Sequence, residues 1–110
     1  MVVIKVEIKN DQVFSLSFTG HSEWAESGKD IVCAAISTLL QALEIGFTEV
    51  LQKAEITRET VTDPYTPLVK IWTPFPYGPE EAILVDTVMA TLREIENSYP
   101  ENVRLTEVRI

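Results

Sequence analysis

The chain has 110 residues, with nine Lys and Arg against seventeen Asp and Glu, a net charge of −8, and 45% hydrophobic residues. Those values fit one soluble globular domain, residues 1–110, and the acidity argues against direct nucleic-acid binding because phosphate backbones would be repelled. A single cysteine excludes an internal disulfide framework and any multi-cysteine zinc site.

Ile4, Val6 and Ile8 alternate with Val3, Lys5 and Glu7, the period of a strand. Charges inside this first segment, and the lack of a small-residue cleavage site, distinguish it from a signal peptide. No apolar run is expected to approach the roughly 20 residues of a membrane span. A reducing cytoplasm and no membrane partner are the resulting expectations. Asn10-Asp11 signals a turn, after which Phe14, Leu16 and Phe18 alternate with Ser15, Ser17 and Thr19. The two segments read as an antiparallel hairpin with one apolar face, delivering Gly20-His21 at its end.

Residues 22–29 are polar, contain Gly28 and show neither period, as a loop does. Asp30 suits an N-cap, and the pattern predicts a helix from there to Ile45 with Gly46 as its C-cap. Val32, Ile36, Leu39 and Leu43 form its stripe, small Ala34, Ala35 and Ala42 permit close packing, and the scarcity of charge predicts burial on most sides. Residues 54–61 and 68–72 read as strands, separated by a segment that Pro64 and Pro67 bar from regular structure. A second proline-broken loop covers residues 73–78. Pro79 then opens a second helix, with Glu80 and Glu81 at the positive end of its dipole. Ile83, Leu84, Val88, Leu92 and Ile95 mark its expected buried face, Pro100 ends it, and residues 103–110 make a closing strand. The order β-β-α-β-β-α-β predicts an α+β fold with two helices packed on one face of a mostly antiparallel sheet.

The chain's only histidine, His21, and its only cysteine, Cys33, lie twelve positions apart, between a strand end and a helix start. A thiol beside an imidazole is the minimum equipment for nucleophilic catalysis. With Asp30 as N-cap, Cys33 falls at the third helical position, where unpaired amides favour the thiolate; burial among Ile31, Val32 and Ala34 would oppose that. Glu23 and Glu26 lack metal-ligand spacing with a second histidine, so no metal is expected. Trp24 suits a lid contact or a packing anchor. Trp72, Phe75 and Tyr77, set among prolines, suit either an apolar peptide groove or packing in the core or a dimer.

Gly20-His21, followed after a spacer by Asp30-Ile31-Val32-Cys33-Ala34-Ala35-Ile36-Ser37, closely resembles the signature of the ribosomal-processing cysteine protease family, Prp. The length, the order of elements and the Ile95-x-x-x-Tyr99-Pro100 helix ending also fit the family. The resemblance implies an endopeptidase of the bacterial cytoplasm, without a cofactor and expected as a homodimer. Its substrate would be the precursor of one large-subunit ribosomal protein, the twenty-seventh in its series, from which an N-terminal extension is removed. Cys33 matches the family's nucleophile and His21 its general base. Gly20 fits the turn beside His21, Asp30 a cap or an orienter of the histidine, and Ser37 a pocket wall or a hydroxyl bonded back to its own helix. Ser22 and the proline-rich stretch 61–67 depart from the family pattern. The rival expectation is a non-catalytic, acidic ribosome-associated protein that binds a basic ribosomal protein.

Overall fold

A computed structural model gives the fold; it describes residues 1–19, 27–53, 56–61 and 68–110, with the backbone alone at 27–30, 61 and 68. Strands β1 (Val2–Lys9) and β2 (Gln12–Thr19) form the expected antiparallel hairpin. Its two-residue turn needs positive φ at both positions, which Asn10 (50°) and Asp11 (61°) supply.

The hairpin is not regular throughout. Glu7 pairs with Ser15 but Ile8 pairs with Val13, so Phe14 is an extra residue in β2, a β-bulge. The bulge inverts side-chain parity beyond it. Val13, 8% exposed, therefore joins the core. Phe14 leaves the apolar face on which alternation placed it and meets Phe75 edge-on at 5.7 Å.

Helix α1 runs from Ser27 to Ile45, so it starts earlier than expected and residues 27–29 are helix rather than loop. Gly46 does not end it. The chain continues through a π turn, Gly46–Val50, and no described glycine has positive φ. A Cβ at Gly46 would lie 2.2 Å from Leu84 Cδ2, so the glycine serves the close approach of the second helix.

Strands β3 (Thr57–Val61) and β4 (Leu68–Trp72), helix α2 (Pro79–Ser98) and strand β5 (Val103–Arg109) complete the order. Residues 54 and 55 of the expected third strand, and the proline link 62–67, lie outside the described residues. The sheet order is β3-β4-β2-β1-β5, antiparallel except for the parallel β1–β5 pair. Val2, Ile4, Val6, Leu16, Ile71 and Val103 present one sheet face to both helices. Val32, Ile36, Leu40, Leu43 and Phe47 meet it from α1 and the π turn, and Val85, Val88, Met89 and Leu92 from α2. Each such side chain contributes roughly 1.5–3 kcal/mol on burial.

Two expectations about the helices change. The buried face of α2 is turned toward Val85 and Met89, which leaves Ile83 70% exposed. Helix α1 is buried along one face, not on most sides: Ile31, Ala34, Thr38, Gln41, Ala42 and Ile45 face outward. Contrary to the sequence expectation, the stretch Ile31–Val50 is long and apolar enough to cross a membrane, with hydropathy 1.7. Its Val32, Ile36, Leu43 and Phe47 are at most 1% exposed within the sheet–helix core, while about a third of the stretch as a whole is buried.

Candidate active site

Cys33 is the seventh residue of α1 and is half-buried against the core. It is therefore not at the third helical position, and Asp30, the fourth residue of the helix, is not its N-cap, since a capping residue has non-helical backbone. The physical consequence is substantial. The helix-end field fades within the first turn, and an amide at position seven is committed to the carbonyl four residues back. The unpaired first-turn amides thus belong to residues that precede Cys33.

Ser37 follows one turn after Cys33 on the same side of α1 and is half-buried. Further along that flank, Glu44 accepts a 2.5 Å hydrogen bond from Arg58 of β3, so the Cys33 flank looks toward the β3 side of the sheet. The opposite flank carries Gly46 and packs on α2. Gly20 and His21, with Glu23, Trp24 and Glu26, lie outside the described residues. Strand β2 ends at Thr19, paired with Val3 on one side and Leu68 on the other, immediately before Gly20 in the chain. Among the described residues no group of His, Cys, Asp and Glu could hold a metal ion.

The far end of β2 is held by side chains that sequence reasoning did not single out for that task. Beyond Trp72, β4 no longer accompanies β2, so the backbone of Val13, which faces Ile8 of β1 on one side, lacks a strand partner on the other. The Val13 N–H donates to the Tyr77 hydroxyl at 2.9 Å, and the Val13 carbonyl accepts from Thr73 Oγ1 at 2.9 Å. Gln12 brackets the Tyr77 backbone with bonds of 2.8 and 3.2 Å. Burial pushes the Tyr77 hydroxyl above its ordinary pKa, and Asp86 adds to this, while the Val13 bond opposes it. Tyr77 also meets Phe47 edge-on at 6.2 Å, so it is a packing residue rather than part of an aromatic groove. Trp72 lies apart from it beneath Lys70 Nζ, 5.0 Å from the ring centre. Nothing in the sequence marked Thr73 for this task, because the need arises only where β4 stops.

On the sheet face away from the helices, Ser15 donates a short hydrogen bond to Glu7, and Lys70 Nζ lies 3.0 Å from the same carboxylate. The Ser15 bond, then Lys70, hold the Glu7 carboxyl below its ordinary pKa.

Comparisons with known proteins agree with this fold. The sequence profile of the family described as cysteine protease Prp matches residues 1–104. The ribosomal processing cysteine protease Prp of Mycoplasma genitalium is 30% identical over 105 residues, covering 96% of each protein. The crystal structure of SMU.848 from Streptococcus mutans superposes with a TM-score of 0.86 at 23% identity, over 100% of this chain and 96% of that one. An essential ribosomal processing protease Prp from S. aureus, in complex with a substrate peptide, gives 0.78 at 22% identity, over 98% and 100%. At such identities the structures establish the fold, a five-stranded mixed sheet with two helices. The profile and the curated relative establish the lineage: this chain belongs to the Prp family of ribosomal-processing cysteine proteases.

Proposed function

We propose that the protein is a cytoplasmic cysteine endopeptidase that removes the N-terminal extension of a large-subunit ribosomal protein, the twenty-seventh of its series. The observation that carries the reading is the family match across residues 1–104, in a chain whose only cysteine sits half-buried on the flank of α1. His21, the only histidine, takes the thiol proton, and the Cys33 sulfur attacks the scissile carbonyl. His21 then gives its proton to the leaving amine, and water, activated by the same imidazole, hydrolyses the acyl-enzyme. Gly20 lets the backbone leave β2 beside His21. Asp30, which cannot cap α1, orients the histidine, and Ser37 lines the pocket. No cofactor takes part.

The relative from Mycoplasma genitalium is named for ribosomal processing, and the S. aureus structure holds a substrate peptide; both support a ribosomal precursor as substrate. A net charge of −8 suits a basic substrate better than nucleic acid. A homodimer is part of the proposal, because β3 and β5 each leave a strand edge for a partner to cover.

Incubation with the extended ribosomal protein, read by mass spectrometry, tests the reading. A single new N-terminus should appear, Cys33→Ala should abolish it, and His21→Ala should slow it by about 10²–10⁴-fold, the usual contribution of a general base. Tight binding of the precursor with no cleavage would leave the rival reading, an acidic ribosome-associated binder. Cleavage by Cys33→Ala would sink the mechanism.

A further inference from the structure

The outer edge of β5 is covered along one half and open along the other. The Val2 N–H donates to the Asn102 carbonyl and the Ile110 N–H to the Ile8 carbonyl, so the even-numbered residues of this segment turn their backbone groups toward β1. The odd-numbered ones turn theirs outward. Val103 and Leu105 are served there by the end of α2: their N–H groups donate to the Tyr99 carbonyl at 3.0 Å and to Glu96 Oε2 at 2.6 Å. The N–H groups of Glu107 and Arg109 meet no partner among the described residues. The same stretch exposes apolar side chains, Val108 at 38% and Ile110 at 57%. A bare strand edge flanked by apolar side chains is a template for another strand.

That edge complements itself. When two copies of a strand pair antiparallel about a two-fold axis, the residues set opposite each other lie on the same side of the sheet, so their numbers sum to an even value. An axis through Val108 sets Glu107 opposite the partner's Arg109, and Arg109 opposite the partner's Glu107. Both turn their backbone groups outward, so each such pair exchanges two hydrogen bonds. Glu107 already lies 2.6 Å from Arg93, and Arg109 2.8 Å from Asp11, so pairing joins these groups into a run of alternating sign. An axis through Glu107 or Arg109 would instead set like charges against each other. The β3 edge offers no such match. Arg58 turns toward the helices and Glu44, while its neighbour Glu59 faces the other way, so no two-fold register opposes them.

We propose that residues 106–110 pair with the same residues of a second copy, with Val108 on the two-fold axis, so that one sheet runs through both copies. The proposal rests on the homodimer reading above and gives it a surface and a register. So short a ladder lies at the low end of specific interfaces, and the dimer should therefore be weak and concentration-dependent. Glu96 sets its length, because the Leu105 N–H that would extend the ladder is already bound.

Sedimentation velocity over a concentration series reads the dimer Kd. Glu107→Arg leaves only cations at positions 107 and 109, and Arg109→Glu leaves only anions, so each variant alone should raise Kd about ten-fold. An equimolar mixture of the two restores both pairs, and its Kd should return to within about three-fold of wild type. Arg109→Pro deletes an outward N–H and leaves the β1 ladder intact, so it should weaken the dimer without unfolding the chain. In a Cys33→Ala background, Val108→Cys should cross-link under mild oxidation, because a non-hydrogen-bonded pair on the axis has Cα atoms about 4.5 Å apart. Thr106→Cys, away from the axis, should not. A mixture that fails to recover overturns the register. A dimer that survives every substitution, with no Val108→Cys cross-link, overturns the β5 interface and leaves the homodimer reading to another face. A wild type that stays monomeric throughout, again with no cross-link, overturns both.

Discussion

Replacing Tyr77 by Phe removes one oxygen and little else, which makes it a sharp test of how β2 is anchored beyond its bulge. Val13 is 8% exposed, and its N–H donates to that oxygen at 2.9 Å. In the variant a buried amide loses its partner, a loss of about 1–2 kcal/mol. At about 2.1 cal/mol/K per residue, a chain of this length has an unfolding entropy near 0.23 kcal/mol/K, so Tm should fall by about 4–9 °C. Differential scanning calorimetry measures the shift, and amide exchange should show the Val13 N–H losing protection before its neighbours. Tyr99→Phe, at a 38% exposed position, is the control and should leave Tm unchanged. Burial and Asp86 raise the Tyr77 pKa in the folded state, so the hydroxyl's contribution is complete below its unfolded value of about 10 and is lost as pH rises through the folded one. The alkaline decline of wild-type stability should accordingly be steeper than that of Tyr77→Phe. A Tm for the variant within about 1 °C of wild type, with Val13 still protected, would refute the reasoning, since surface changes alone give shifts of that size.

Thr73→Val should cost a similar 1–2 kcal/mol or so in urea denaturation, because the Val13 carbonyl loses the Thr73 hydroxyl while the Phe14 carbonyl keeps the Thr73 amide at 3.1 Å. Glu7 has a lowered pKa in the folded state, so its stabilisation is present above its ordinary value and fades as pH falls through the folded one; Glu7→Gln should flatten the acid limb of a Tm–pH curve below about pH 4.5. Gly46→Val should destabilise by about 1–3 kcal/mol through the clash with Leu84, and Leu84→Ala should recover part of the loss in a double-mutant cycle read by thermal melts.

Local patterning determined much of this protein without help. Alternation in β1, the Asn10-Asp11 turn, the stripe of Val32, Ile36 and Leu43, and Pro79 before Glu80 and Glu81 each state a local preference that the fold honours. The spacing of Cys33 behind Gly20-His21 likewise carried the family, because signature residues are legible wherever they sit. Tertiary structure decided what depends on neighbours distant in sequence. The bulge that turned Phe14 out and Val13 in belongs to the pairing of two strands, and only the end of β4 made Thr73 and Tyr77 necessary. Gly46 reads as a helix stop when nothing is known to lie beside it; Leu84, thirty-eight positions later, makes it a crossing point instead. The start of α1 at Ser27 was likewise hidden, since Asp30 is a good capping residue by type although it lies inside the helix. Sequence shows that α1 is uncharged. Only packing shows which side of it meets the core and which is left bare, because a helix presents every face until something is placed against one of them.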